Sequence, residues 1–234
     1  MNKETFILEL DKLGIKLTDI QLNQLHIYYE MLVEWNKVMN LTGITEEEQV
    51  YLKHFYDSLT ICKAIDLTKE TSLCDVGTGA GFPGLVLKIC FPNLKVVLVD
   101  ALEKRLKFLN AVIDKLELDN IETVHARAED YARTTREVYD VVTARAVAPL
   151  NILIEYCLPL IKPNKYFVAM KGNISQELET LPNALKKING VLIKNENFTL
   201  PLEESNRSIL VISKLGNTIN KYPRKYNEIK KYPL

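Results

Sequence analysis

The stretch Asp75-Val76-Gly77-Thr78-Gly79-Ala80-Gly81-Phe82-Pro83-Gly84 limits what this chain can fold into more than any other. The run Ser72-Leu73-Cys74 leads into it, and the apolar-rich segment Leu85 to Cys90 follows. The order reads as strand, glycine turn, helix. Four glycines in eight positions let the backbone turn where a side chain would collide with a ligand. A helix opening near Pro83 presents N–H groups with no partner inside the helix. Proline suits that first turn because it has no N–H to lose. A tight turn that only packs a helix on a sheet needs fewer glycines than this cluster holds.

A second piece completes the pattern. Lys95-Val96-Val97-Leu98-Val99-Asp100 reads as a buried strand ending in an acid, 16 residues after Gly84. That is about the offset at which a nucleotide-binding α/β unit grips a ribose, whose two hydroxyls a carboxylate can accept. Two cofactors fit. Gly79-Ala80-Gly81-Phe82-Pro83-Gly84 spells GxGxxG, the dinucleotide fingerprint of NAD-dependent oxidoreductases. S-adenosylmethionine (SAM) is favoured for three reasons. Asp75 precedes the glycines, suited to a cationic amino-acid moiety. The turn lies well inside the chain with no second dinucleotide-binding half after it. The last strands have no crossover helix between them.

Around this unit the chain divides into residues 1–70, 71–216 and 217–234. Residues 3–13 have helical periodicity through Phe6, Leu10 and Leu13, broken at Gly14. Thr18 or Asp19 caps a long helix whose apolar face runs from Leu22 to Trp35, and Glu46 to Ile65 reads as one or two more. Strands are expected at 72–76, 95–100, 120–125, 138–143 and 165–170, and helices at 82–90, 103–117, 149–158 and 174–189. Such alternation argues for a parallel sheet covered on both faces. Segments 190–199 and 206–215 carry Val191, Ile193, Ile209, Val211 and Ile212 with polar neighbours and read as a closing antiparallel pair. The expected architecture is a Rossmann-like α/β fold, a mostly parallel sheet of seven strands with an N-terminal helical extension.

Charge separates the ends of the chain. Lysine plus arginine and aspartate plus glutamate both number 30, so the net charge is zero. Residues 1–70 carry 7 lysines against 12 acids, whereas residues 214–234 carry six cations against Glu228 alone. A neutral chain with a basic tail suggests a local anionic contact, with residues 216–234 poorly structured. Cys62, Cys74, Cys90 and Cys157 are scattered in apolar contexts, so buried thiols are expected rather than disulfides or metal ligands. Met1-Asn2-Lys3-Glu4 has no signal-peptide pattern, and no apolar run reaches the ~18 residues of a membrane span. A cytoplasmic chain is expected, with no membrane partner and no metal.

Ligands of such sheets bind beyond the carboxyl ends of the strands. Three more strand ends therefore matter. These are Ala128-Glu129, placed to reach an adenine edge, Arg145-Ala146, and Lys171-Gly172. Arg145 and Lys171 bring two cations beside the cofactor.

These pieces together resemble the glucose-inhibited division protein B family (RsmG). The resemblance spans nearly the whole chain. It is carried by Asn40-Leu41-Thr42-Gly43-Ile44, His54-Phe55-Tyr56-Asp57-Ser58-Leu59, Asp75 to Gly84, Asp100-Ala101-Leu102-Glu103-Lys104-Arg105, and Phe108-Leu109. Ala128-Glu129, Arg145-Ala146, Lys171-Gly172 and Tyr222-Pro223-Arg224-Lys225 follow in order. One departure is Tyr226-Asn227-Glu228, where family tails usually carry a glycine after Pro-Arg-Lys.

The resemblance implies a class I SAM-dependent methyltransferase acting on N7 of a guanine in the decoding-region loop of 16S ribosomal RNA. It implies that Gly77, Phe82, Ala128, Glu129 and Arg145 contact SAM. Together with Asp75, Gly79, Gly81, Asp100, Ala101 and Leu102 these make up the expected cofactor site. Arg145 is also the expected catalytic-site residue, holding an RNA phosphate or the guanine O6 near the methyl group. Asn40, His54, Asp57 and Ser58 are expected at the cofactor mouth, and the tail cations on phosphates. The partner is 16S rRNA or the small subunit, and a monomer is expected.

Guanine N7 has a free lone pair and no proton, so no general base is required. The absence of a catalytic dyad fits that chemistry. So does the absence of Asn-Pro-Pro-Tyr or Asp-Pro-Pro-Tyr, and of a Pro-Cys thiolate pair, since Cys157 precedes Leu158-Pro159. The rival readings are an NAD-dependent oxidoreductase and a non-catalytic RNA-binding module of ribosome assembly.

Overall fold

A computed structural model describes residues 1–234. Its centre is one sheet of seven strands, in the order β3-β2-β1-β4-β5-β7-β6. These are β1 Ser72–Val76, β2 Lys95–Asp100, β3 Ile121–His125, β4 Tyr139–Arg145, β5 Ile161–Lys171, β6 Gly190–Thr199 and β7 Asn206–Lys214. The first five pair in parallel, and β7 runs antiparallel to both β5 and β6. β1 and β4 are buried along nearly their whole length, which is why they read as continuous apolar runs. β6 forms an edge of the sheet and alternates half-buried with exposed residues.

Each face of the sheet has its own apolar core. One core joins β1 and β2 to α5 Gly84–Cys90, α6 Glu103–Lys115 and the N-terminal helices α1 Lys3–Lys12 and α2 Asp19–Met39. Thr18 caps α2 through a reciprocal capping box with Gln21, as its position in the sequence suggests. The fully buried ring of Tyr28 on α2 stacks on Phe82 at 5.5 Å and on Phe55 at 5.5 Å. Residues 1–70 therefore share a core with the glycine turn rather than standing apart from it.

Glu46 to Ile65 is more varied than one or two helices. It runs through α3 Glu47–Val50, a π-helical segment Tyr51–Tyr56, α4 Asp57–Leu59 and a 3-10 turn Thr60–Lys63. Such π turns widen a helix locally and often accompany functional sites.

The other face is covered by α7 Ala128–Thr134, α8 Leu150–Cys157 and α9 Glu177–Lys187. The C-terminal segment corrects the sequence reading. Far from being poorly structured, it forms α10 Tyr226–Lys231 and buries Tyr222, Ile229 and Leu234 in this second core. The reason is a set of distant polar anchors. Arg136 donates to the carbonyls of Thr218 and Tyr222, at 2.7 Å each. The wholly buried Glu155 receives Arg224. All four cysteines are free thiols, three of them buried. No helix is long and apolar enough to cross a membrane.

Candidate active site

The strand order reverses between β1 and β4, and their carboxyl ends part there. One cavity opens at this switch point and a second lies beside it, past the ends of β4 and β5. The first, of about 440 Å³, includes Gly77, Asp100, Ala101, Leu102, Ala128 and Glu129 in its walls. The second, of about 450 Å³, includes His54, Asp57, Arg145, Lys171, Gly172 and Arg207. Ala146, just past β4, lines both.

The glycine turn is built around Asp75. Its Oδ2 accepts from Thr78 Oγ1 at 2.7 Å and from the Gly84 N–H at 2.8 Å. Asp75 is completely buried and stands behind the cavity walls. Its Oδ2 organises the turn and occupies an N–H at the start of α5, while its Oδ1 has no hydrogen-bond partner. Burial pushes its carboxyl up to about 6 against the pull of these two hydrogen bonds.

Gly77 has φ +70°, and an added Cβ would come within 2.6 Å of Val147 Cγ2. The turn needs that left-handed residue at the cavity wall. Gly79 lies outside the wall but donates its N–H to Asp100 Oδ2 at 2.9 Å, tying the turn to β2. Gly81 packs under Tyr28, whose hydroxyl donates to the Ala80 carbonyl. Phe82 is also outside both linings. It is sandwiched in an aromatic and cationic stack, with His54 at 4.4 Å and the Arg145 guanidinium at 5.3 Å from its ring.

Asp100 ends β2 at the cavity, as expected. Its Oδ1 accepts from the Leu102 N–H at 2.9 Å, and its Oδ2 also receives Arg105 at 3.2 Å. Glu129 is 3% exposed, and its Oε1 has no hydrogen-bond partner; the nearest cation is Arg127 at 3.9 Å. A buried acceptor left open on a cavity wall suits a ligand N–H or O–H. The residues present therefore fit a nucleoside-bearing cofactor.

The second cavity sets its cations against two acids, Asp57 and Glu177. Arg145 Nη1 donates to Asp57 Oδ2 and to the Lys53 carbonyl, each at 3.1 Å. Arg207 Nε donates to Asp57 Oδ1 at 2.9 Å. Lys171 lies 2.9 Å from Glu177 and donates to the Ala148 carbonyl at 3.0 Å. Burial lowers the Arg145 pKa while the Asp57 charge opposes that change. The His54 ring is driven down to about 4, first by burial and then by Arg145, and so is neutral at pH 7.

His54 and Asp57 thus face this second cavity, not the cofactor mouth. Asn40 caps α2 in a left-handed conformation, and Ser58 is buried, donating to the His54 carbonyl; neither lines a cavity wall. Arg207, Phe198 and Glu177 were missed. They lie on β7, β6 and α9, far from any motif, and only folding brings them here.

The sheet order and the Asp100 and Gly77 geometry define a class I SAM-dependent methyltransferase fold. Among solved structures, a SAM-dependent methyltransferase from Aquifex aeolicus superposes with TM-score 0.54 at 17% identity, covering 74% of this chain and 97% of that one. A 16S rRNA (adenine(1408)-N(1))-methyltransferase mutant with SAM from Catenulisporales acidiphilia gives 0.53 at 16% identity, over 65% and 88%.

The sequence is more specific than the fold. Residues 21–205 match the family described as rRNA small subunit methyltransferase G, also called GidB, and the chain belongs to it. Ribosomal RNA small subunit methyltransferase G of Listeria monocytogenes is 50% identical over the full length of both chains. That of Bacillus velezensis is 52% identical over 100% of this chain and 99% of its own.

Proposed function

We propose that this chain transfers a methyl group from SAM to N7 of a guanine in 16S ribosomal RNA, within the decoding-region loop of the small subunit. One observation carries the reading. Two cavities of similar size meet at Ala146, one walled by Asp100 and the open Glu129 acceptor, the other by arginine and lysine. The first suits a nucleoside cofactor and the second a base on a phosphate backbone.

Gly77, Asp100, Ala101, Leu102, Ala128 and Glu129 would hold the cofactor. Bound there, SAM would supply an electrophilic methyl on a sulfonium with a neutral thioether as leaving group. Guanine N7 brings its own lone pair and no proton, so the residues of this chain need only align the two, without a general base. Alignment alone contributes about 7–11 kcal/mol to such a step. Arg145 and Arg207, fixed by Asp57, offer donors for guanine O6 or a neighbouring phosphate. The work is cytoplasmic, alongside the ribosomal RNA.

The decisive test uses labelled SAM and small-subunit RNA or particles lacking the modification, followed by mapping of the modified nucleotide. One guanine gaining an N7 methyl group is expected. SAM binding without transfer to any form of this RNA would move the target elsewhere. Binding of NAD in place of SAM would return the chain to the oxidoreductase reading.

A further inference from the structure

The cavity assigned above to SAM has a wall that no cofactor motif supplies. Most of its lining comes from the ends of β1 to β4, the segments after them, and α8. On the remaining side stand Tyr226 and Lys230, both on α10. Four residues apart, they share one side of that helix. Between them Ile229 is fully buried in the core.

A clamp sets where α10 begins. Glu155 on α8 has no exposed surface, and an unpaired carboxylate there would be strongly unfavourable. It is matched completely by Arg224. Nε donates to Oε1 at 2.8 Å, Nη2 to Oε2 at 2.7 Å, and the Arg224 backbone N–H to Oε1 at 2.7 Å. Tyr226 follows two residues later. The Arg127 guanidinium lies 5.0 Å from the centre of its ring, and Arg127 also approaches Glu129. The C-terminal helix and the open Glu129 acceptor are thereby joined through one arginine.

Docking for stability alone would use Tyr222, Ile229 and Leu234, which are all buried. Tyr226 is different, being 38% exposed on the cavity wall, where an aromatic face can meet a purine. We propose that Tyr226 and Lys230 complete the cofactor pocket, positioned by the Glu155–Arg224 clamp, so that the C-terminal segment sets how tightly SAM is held. This rests on the assignment of SAM to the cavity of Asp100 and Glu129.

The test is calorimetric titration of SAM into the full chain and into Tyr226→Ala, Tyr226→Phe, Lys230→Ala and Glu129→Gln. Hydrogen exchange of residues 222–231 is followed with and without SAM. Tyr226→Ala should weaken binding by about 5-fold, Lys230→Ala by about 3-fold, and Tyr226→Phe by less than about 2-fold. SAM should slow exchange in α10 of the parent chain. If Glu129→Gln weakens SAM binding while Tyr226→Ala and Lys230→Ala bind as the parent does, the wall is not a contact and this inference fails alone. If Glu129→Gln also binds normally, or the parent binds no SAM, the cavity assignment fails and takes the inference with it. If Tyr226→Ala keeps SAM affinity but loses RNA affinity, the segment is an RNA contact instead.

Discussion

Arg145 Nη1 lies 3.1 Å from Asp57 Oδ2, and both side chains are largely buried, at 15% and 7% exposure. Asp57 also carries Arg207 on its other oxygen. One carboxylate therefore bridges two guanidinium groups drawn from β4 and β7 and leaves the trio with a net positive charge. Removing it leaves two poorly solvated cations side by side. Breaking a buried pair in this way costs about 3–5 kcal/mol. Asp57→Ala should accordingly lower stability by about that amount in urea unfolding, and Asp57→Asn by less because it keeps hydrogen-bond acceptance on one oxygen. A variant Asp57→Ala as stable as the parent would mean the arginines find water or other partners.

Arg145→Lys separates charge from shape. Lysine keeps the positive charge but cannot bridge Asp57 and the Lys53 carbonyl with a planar fork. It also gives up the guanidinium contact over Phe82. Methyl transfer to RNA should fall by about 10²-fold, the scale for losing one well-placed donor. The guanidinium belongs to the cavity without Asp100, so SAM affinity should change by less than about 3-fold. Single-turnover transfer and calorimetry check the two halves. Transfer at the parent rate would remove Arg145 from the site.

Gly84 is needed for close packing, although its φ is ordinary. A Cβ there would stand 2.5 Å from Leu98 Cδ2 and 2.7 Å from Asp75 Cβ. Both neighbours are buried and cannot swing away. Gly84→Ala should therefore destabilise by about 1–3 kcal/mol, the range for overpacking a tight core. It should also loosen the Asp75 turn and weaken SAM binding. Thermal unfolding with and without SAM measures both, and an unchanged melting temperature would contradict the packing argument.

All seven strands are legible in the sequence because each buried strand is a short apolar run bounded by polar or turn residues. Helix α7 is not. Ala128 to Thr134 buries only Glu129 and Ala132, so it has no apolar stripe to detect. The C-terminal helix escapes for a different reason. Its partner Glu155 stands 69 residues before Arg224, and no local pattern encodes that pairing. The glycine motif marks the turn beside the first cavity, and Asp75 within it spends one oxygen on that turn and leaves the other without a partner. A carboxylate beside glycines can serve ligand or backbone equally well, and only the paths of Thr78 and Gly84 decide which. Arg207 has no signal at all, being a lone cation just before the buried apolar run of β7.

The half-buried His54 and the fully buried Asp75 should give this protein opposing responses to acid. His54 is neutral when folded, with its pKa lowered from 6.5 to about 4. Between those values the unfolded chain binds a proton that the folded chain refuses, so stability falls as pH drops. Asp75 is raised from 3.8 to about 6. Over that window the folded chain holds a proton that the unfolded chain has released, so stability rises as pH drops. Each contribution is on the order of 3 kcal/mol, and the two largely cancel in the parent. His54→Gln should therefore gain stability, relative to the parent, as pH falls from about 6.5 to about 4. Asp75→Asn should lose it over nearly the same range. Urea unfolding of the three proteins across this range reads the difference directly. Other carboxylates, such as Asp140, whose hydrogen bonds to Thr71 and Lys162 hold its pKa down, weaken all three alike in acid and drop out of the comparison. Parallel curves for the three proteins would show that neither group is shifted by its burial beside the glycine turn.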